Sequence, residues 1–268
     1  MKKTLAILNL LSVISVVAVN YISNAIRLND TTIAEVSRQY DNLFTPASYA
    51  FAIWGLIFVS ILAYSIFQIK RVCSNSKSTS FIEKTGYWFA TANILNCIWV
   101  IVFVYDYVLL SVLIMLGILF SLVQIIIRNG IGLSRQSFVM LAFNWWPICL
   151  YAGWISVATV ANISTYLTKV GWNGESLSEI QWTIIMISIT VALNLFMVFK
   201  RNMREFGVVG IWALIALFVR HDDSINQIAY ASIIGALLIF ITISWNGYKN
   251  RKNNTIYILV KNIIENKN

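Results

Sequence analysis

Few side chains in this sequence are of the types that carry acid–base, nucleophilic or metal chemistry. His221 is the single histidine, which excludes a histidine-based metal cluster, and the three cysteines show no CxxC or cysteine–histidine spacing. No phosphate-binding glycine loop, HExxH or GxSxG motif occurs. Asp106 and residues 220–223 stand at turns between apolar segments rather than inside them. The sequence therefore argues against an ion pump, a membrane protease and a hydrolase.

The side chains that could bind a ligand are aromatic rings and amides at helical spacing. Members of each set stand three or four residues apart, so they share one helix face. A tryptophan offers a broad apolar face with one N–H donor, and an asparagine inside a membrane needs hydrogen-bond partners. Such walls suit a flat, mostly apolar ligand, but the same residues also suit helix packing and anchoring at the membrane interface. The sets are Phe51, Trp54 and Phe58; Asn93, Asn96 and Trp99; and Tyr151, Trp154, Ala158 and Asn162.

The composition indicates that these faces lie in a membrane. Of the 268 residues, 59% are hydrophobic and only 12% are charged, against about 25% charged in soluble domains. The mean hydropathy is +0.73. The net charge of +9 could suggest nucleic acid, but the basic residues fall between apolar runs, where membrane topology explains them. We therefore predict an all-α integral membrane protein with the lipid bilayer as its solvent and no nucleic-acid partner.

Eight apolar segments are candidate transmembrane helices, for which a span needs roughly 20 residues. The seventh is short, and it could begin a few residues earlier, near Arg204. The predicted spans are Leu5–Ile22, Ala47–Ile69, Tyr87–Tyr105, Tyr107–Ile127, Phe138–Ile163, Trp182–Phe199, Val208–Val219 and Ile225–Trp245.

The distribution of charge predicts the orientation of these spans. With the N-terminus inside, 16 lysines and arginines fall in cytoplasmic segments and 4 in outer ones, whereas 8 acidic residues fall outside and 3 inside. Basic residues accumulate on the cytoplasmic side, so both termini are predicted to be cytoplasmic in a multi-pass protein of the plasma membrane. A cleavable signal peptide ending near Ser23-Asn24-Ala25 is the alternative for the first span. Its apolar stretch is long for that role, which favours a retained helix.

Two polar segments on the outer side are longer than simple turns. Ser23–Pro46 contains both acidic and basic residues, and Thr165–Gln181 contains Trp172 and Glu175. Long loops on one face often cover a site. Each segment is therefore interpreted as either a lid or a plain connector.

The order of these motifs resembles that of the TspO/MBR family, the relatives of the translocator protein also called tryptophan-rich sensory proteins. In that family an outer loop leads into a second helix that begins with proline and carries aromatic residues, as in Pro46–Phe58 here. Its third helix carries Asn-x-x-Trp, matched by Asn96-Cys-Ile-Trp99, and its fifth carries Trp-x3-Ala-x3-Asn, matched at 154–162 downstream of Pro147. The resemblance covers about residues 1–165.

This sequence also departs from the family pattern. One proline precedes the second helix instead of two, Phe51 and Trp54 are three residues apart instead of four, and Phe58 replaces a tyrosine. Pro147 lies seven residues before Trp154, where the family has four. The interpretation is a distant, longer branch with three predicted parts: a five-helix unit (1–165), three additional transmembrane helices (166–250) and a basic cytoplasmic tail (251–268).

The resemblance implies a membrane receptor or transporter that binds a flat hydrophobic small molecule within the helix bundle. A tetrapyrrole such as haem or protoporphyrin is the implied ligand, and no cofactor is required. The resemblance also implies a homodimer, although no GxxxG face supports one. Ser23–Pro46 would form the lid of the pocket. The residues implied to line or support the pocket are Phe51, Trp54, Asn96, Trp99, Tyr151, Trp154, Ala158 and Asn162.

Two other functional classes fit the sequence less well. A secondary transporter of a small solute would need a polar path, for which the asparagines of the third span, Gln124 and Asn194 are the candidates. A membrane enzyme acting on a lipid or pigment would need a buried acid, base or metal ligand, and the apolar segments offer none.

Overall fold

The computed structural model describes residues 1–74, 79–172 and 176–251, and this part of the chain is helical with no strand. Eight long helices occupy the positions of the eight predicted spans. They are α1 (Lys2–Ala25), α3 (Ile53–Cys73), α5 (Trp88–Val104), α6 (Val108–Arg128), α8 (Trp146–Lys169), α9 (Glu179–Arg201), α10 (Arg204–His221) and α11 (Asn226–Lys249). The short helices are α2 (Ile33–Gln39), α4 (Ser80–Thr85) and α7 (Phe138–Met140).

Six of the described helices are long and apolar enough to cross a membrane. The other two long helices fall short for physical reasons: α5 is apolar but has only 17 residues, and α10 carries Arg204, Glu205 and Arg220 near its ends. Large apolar side chains such as Leu113 and Phe240 face outward along the bundle, as expected where lipid is the solvent. The prediction of an all-α membrane protein is confirmed, while the count of eight spans stays a prediction.

The helix boundaries differ from the predicted ones where polar residues extend a helix. The second span begins with a 3₁₀ turn, Ser48–Ala52, and continues in α3 as far as Cys73. The fifth begins in α7, passes through a π-helical turn (Leu141–Trp145) and ends at Lys169 instead of Ile163. Hydroxyl side chains of this last turn hydrogen-bond backbone carbonyls one turn earlier, so polar residues continue the helix here.

Both predicted outer loops are consequently more ordered than expected. The segment Thr165–Gln181 was expected to be a loop, but its first residues belong to α8 and its last belong to α9; Glu175 lies outside the described residues. The segment Ser23–Pro46 contains α2, which starts with a reciprocal capping box between Thr32 and Glu35. Desolvation acts to raise the pKa of Glu35, but the charge and hydrogen bond of Arg27 and the hydrogen bonds of Thr32 together lower it.

The last three long helices pack directly against the first five. The predicted boundary at residue 165 falls within α8, and α10 packs along this helix. Gly153 of α8 lies against the backbone of Phe206 in α10, so the two helices approach closely. The main apolar core extends from α1 to α10, and a second apolar cluster joins α9, α10 and α11. One bundle therefore contains both predicted membrane units.

The two ends of the bundle differ in charge. We call the end where α1 begins the basic end, because lysines and arginines occupy the last turns of the helices that finish there; the opposite end, which carries α2, is the lid end. At the basic end Arg201 donates to the carbonyls of Ile126 (3.3 Å) and Ile131 (3.4 Å), and Asn202 donates to that of Gly132 (3.1 Å). These bonds attach the loop after α6 to the turn between α9 and α10.

Gly132→Ala is expected to lower the free energy of unfolding by on the order of 3 kcal/mol, because it combines backbone strain with overpacking. Gly132 has φ +82°, and a Cβ there would overlap the carbonyl of Arg201. Gly130→Ala is the matched control, since its φ is +60° but nothing lies within 4 Å of the added Cβ. Thermal unfolding in detergent should show a much smaller loss for Gly130→Ala. Equal losses would contradict the docked loop.

Candidate functional site

An aromatic cavity lies beneath residues 23–46, which we call the lid segment, between α3, α5, α6 and α8. We call it the aromatic cavity, and its volume is about 60 Å³. Pro46 and Thr45 of the lid segment form part of its roof, together with Ile33 and Ser37 of α2. The remaining lining residues are Phe51, Trp54, Trp99, Phe103, Met115, Trp154, Val157, Ala158, Ala161, Asn162 and Thr165. Its walls are therefore mostly aromatic and aliphatic, as in typical small-molecule sites.

The structure brings six of the eight predicted site residues to this cavity and places the other two behind it. Asn96 and Tyr151 do not line the cavity; the Asn96 amide donates to the Tyr151 hydroxyl (3.1 Å) and its Oδ1 accepts from Asn20 (3.3 Å). The ring of Tyr151 contacts that of Trp54 at a centroid distance of 6.2 Å. These two residues therefore support Trp54 from behind and link α1, α5 and α8.

Asn162 uses its amide to hold neighbouring helices. Its Oδ1 accepts from Trp99 Nε1 (2.9 Å), and its Nδ2 donates to Ser111 Oγ (2.8 Å). The pair fixes the ring of Trp99, which stacks on Phe103 at 5.1 Å. The polar atoms of Asn162 and Trp99 at the cavity wall are therefore already hydrogen-bonded, and these bonds connect α5, α6 and α8.

The rings at the cavity wall meet edge to face. Trp154 contacts Phe51 at a centroid distance of 6.2 Å and Trp54 at 6.4 Å, with interplanar angles of 84° in both pairs. Trp54 stacks on Phe58 at 5.3 Å. Edge-to-face and stacked pairs add to the stability of buried aromatic clusters. The three-residue spacing of Phe51 and Trp54 therefore still brings both rings to Trp154.

Trp154 differs from Trp99 in having a free donor. The residue is only 3% exposed, and its Nε1 has no hydrogen-bond partner among the described residues. A buried donor without a partner costs about 1–3 kcal/mol. An acceptor atom on a bound molecule would satisfy it. The sequence places both tryptophans on suitable faces but does not indicate which N–H lacks a partner.

A second hollow lies on the other side of the same aromatic wall. We call it the α1 groove; it measures about 360 Å³ and is lined by α1 residues, including Asn20 and Asn24. Ile33, Phe51 and Trp54 line both the α1 groove and the aromatic cavity. These three side chains therefore separate the two spaces.

The lid segment is fastened to α10. Arg220 donates to both carboxylate oxygens of Asp41 (2.7 Å each) and to the carbonyls of Asn42 (3.0 Å) and Thr45. His221 Nε2 lies 2.9 Å from the carbonyl of Leu43, so this nitrogen carries the proton. Arg220 and His221 were expected at an outer turn, and nothing in their position along the sequence indicated these contacts.

Two further contacts continue this attachment into the start of the second span. Trp212 Nε1 donates to the carbonyl of Ala50 (3.0 Å), and the amide of Ala47 donates to the carbonyl of Ala216 (3.1 Å). The backbone on both sides of Pro46 is therefore bonded to α10. The aromatic cavity depends on α10 for the position of its roof.

On the other side, the lid segment contacts the turn between α5 and α6. Tyr40 donates to Asp106 (3.0 Å), whose carboxylate also pairs with Lys169, and Asn29 donates to the carbonyl of Val104 (2.9 Å). Burial and the bond to Asp106 raise the pKa of Tyr40, so its hydroxyl stays protonated as a donor at neutral pH.

Three of the amides considered for a polar transport path contact different neighbouring helices. Asn93 donates to Ser12 of α1 (3.0 Å), whereas Asn194 lies against Gly210 of α10. Asn96 is already bonded to Asn20 and Tyr151. Asn93 and Asn96 therefore join α5 to α1 and α8, whereas Asn194 faces α10.

Comparison with known proteins assigns the family. A family model described as TSPO-like protein matches residues 6–245. The chain belongs to this TSPO-like family. No curated protein and no solved structure matches it.

The TSPO-like match runs through α9 and α10 into α11. The resemblance stated from motifs stopped near residue 165, so the family region is longer than the motifs alone indicated. All eight long helices of this TSPO-like protein lie within or overlap the match.

Proposed function

We propose that this TSPO-like protein binds a flat, largely apolar molecule with a hydrogen-bond acceptor, such as a tetrapyrrole, in the aromatic cavity. The observation that carries the proposal is the buried Nε1 of Trp154, which has no partner in the described part of the chain and lies at a wall built from aromatic rings. The rings of Phe51, Trp54 and Trp99 would contact the ligand face, and Trp154 would donate to its acceptor.

The cavity must enlarge to accept such a ligand. Its volume of about 60 Å³ is well below the roughly 300–1,000 Å³ of ligand pockets. Displacing Trp54 and Phe51 would join the cavity to the α1 groove of about 360 Å³. Trp54 is half-buried, whereas Trp99 is held by Asn162, so the wall toward α1 is the one expected to move.

In this proposal the protein is a receptor or transporter in the plasma membrane, with both termini in the cytoplasm. The charge difference between the two ends supports this orientation, because basic residues accumulate on the cytoplasmic side. The lid would then face outward, and a hydrophobic ligand would enter beneath it or from the α1 groove. A homodimer remains part of the proposal.

Titration of the purified protein with protoporphyrin IX and with haem tests the proposal. We expect saturable quenching of tryptophan fluorescence together with a shift of the porphyrin absorption band. Trp54→Ala should weaken binding several-fold, because it removes a wall of the cavity. Trp172→Ala is the matched control, since Trp172 lies outside the aromatic cavity and contacts Trp182. Non-saturable quenching, or equal effects of the two variants, would refute the proposed site.

A further inference from the structure

A second cavity lies at the basic end, far along the bundle from the lid. It measures about 220 Å³ and is bounded by the loop after α6, the π-helical turn before α8, the start of α10 and the end of α11. We call it the basic-end cavity. Its wall combines charged side chains, amides and two adjacent tryptophans, so it differs in chemistry from the aromatic cavity.

Two buried polar atoms at this wall have no partner among the described residues, and they are of opposite kind. Arg204 Nε is a donor and Asn246 Oδ1 is an acceptor. Asn246 is only 6% exposed, and its Nδ2 already donates to Asn202 Oδ1 (2.9 Å) and to the carbonyl of Val198 (3.3 Å). These bonds fix the amide orientation, so Oδ1 is the atom left for a ligand. A molecule with both an acceptor and a donor would satisfy the pair.

The charge at the wall favours an anionic acceptor. Arg135 and Arg204 contribute two guanidinium groups, whereas Glu205 contributes a single carboxylate. This carboxylate already accepts a hydrogen bond from the side chain of Trp146. Guanidinium groups bind phosphate through paired N–H donors. Arg204 also stands in the first turn of the 18-residue helix α10, where backbone N–H groups favour an anion.

The apolar part of the wall indicates where the ligand comes from. Trp145 and Trp146 lie beside Leu141 near the start of the fifth span, and tryptophans are enriched toward the level of the lipid headgroups. Basic pockets between helices at the end of a membrane bundle are suited to anionic headgroups. A lipid would bring its phosphate to the arginines while its glycerol backbone contacts the indole rings.

We propose that the basic-end cavity binds the headgroup of an anionic phospholipid that carries a free hydroxyl, of the phosphatidylglycerol type. The phosphate accepts from Arg204 and Arg135, and a headgroup hydroxyl donates to Asn246 Oδ1. Phosphatidic acid lacks that hydroxyl, and phosphatidylcholine lacks both the hydroxyl and the net charge. The proposal therefore predicts binding in the order phosphatidylglycerol, phosphatidic acid, phosphatidylcholine.

Native mass spectrometry of the full-length protein in detergent, titrated with these three lipids, tests the order. We expect phosphatidylglycerol to bind at least tenfold more tightly than phosphatidylcholine. Arg204→Gln should lower the preference for phosphatidylglycerol over phosphatidylcholine at least tenfold. Arg135→Gln provides a second variant if Arg204→Gln folds poorly. Arg128→Gln is the matched control, because Arg128 lies at the same end but stacks on Trp88 outside this cavity. It should retain the preference.

Three results would overturn the proposal. The first is equal binding of phosphatidylglycerol and phosphatidylcholine, and the second is an unchanged preference in both cavity variants. The third is equally tight binding of soluble glycerol phosphate, which would assign the site to a free phosphate compound instead of a lipid. Porphyrin titration of Arg204→Gln should match that of the unsubstituted protein, so failure of this site and failure of the aromatic cavity are distinguishable.

Discussion

Trp154→Phe is expected to weaken porphyrin binding about tenfold while leaving the melting temperature nearly unchanged. The substitution keeps an aromatic ring at the cavity wall but removes the Nε1 donor, which has no partner among the described residues. The substitution therefore removes no hydrogen bond between described residues. A hydrogen bond to a charged acceptor contributes about 1.5–3 kcal/mol, and tenfold in affinity corresponds to about 1.4 kcal/mol. Porphyrin titration and thermal unfolding measure the two effects separately.

Trp99→Phe provides the matched control, because it also removes an indole Nε1 donor. In Trp99 this donor is already hydrogen-bonded within the protein. The Oδ1 of Asn162 would lose its donor at 2.9 Å, and a buried acceptor without a partner costs about 1–3 kcal/mol. We expect Trp99→Phe to lower the melting temperature more than Trp154→Phe does. Unchanged porphyrin affinity in Trp154→Phe, with other site variants impaired, would show that its donor does not meet the ligand.

The contrast between these two tryptophans illustrates what the sequence could predict about the site. Helical spacing placed both rings on inward faces, and hydropathy located the helices that carry them. Which indole N–H is free depends on a partner from another helix: Asn162 satisfies Trp99, and no described residue satisfies Trp154. Spacing within one helix contains no information on such pairs. The same limit explains why Asn96 and Tyr151, correctly placed on inward faces, proved to bond each other behind the cavity.

The attachment of the lid segment to α10 could not be predicted from the sequence, for a different reason. Arg220 and Asn42 are 178 residues apart along the chain. An arginine after an apolar segment ordinarily marks the membrane interface, and its position alone predicts no partner. The contact arises because α10 packs against α8 and reaches the end of the cavity from the side. The helix α10, whose role the motifs left open, therefore holds the roof of the site in place.

Arg220→Met is expected to loosen the lid, lowering the free energy of unfolding by about 2 kcal/mol and speeding porphyrin release about tenfold. Methionine keeps the apolar stem of arginine but is shorter and donates no hydrogen bond, so the carbonyls of Asn42 and Thr45 lose their partner. Hydrogen exchange of the amides in residues 40–47 should accelerate, because local opening becomes easier. Haem release into an excess of a soluble haem-binding protein measures the rate.

The variant Asp41→Asn distinguishes the contribution of the ion pair with Arg220 from that of the hydrogen bonds that Arg220 donates to the backbone carbonyls. The Asp41 side chain is 56% exposed, and pairs with an exposed partner contribute less than about 1 kcal/mol. We therefore expect Asp41→Asn to change stability and release much less than Arg220→Met, since Arg220 would still hold the backbone of the lid. Equal effects would mean that the charge pair, and not the backbone contact, closes the lid. Unchanged release in both variants would mean that the ligand leaves through the α1 groove, past Trp54.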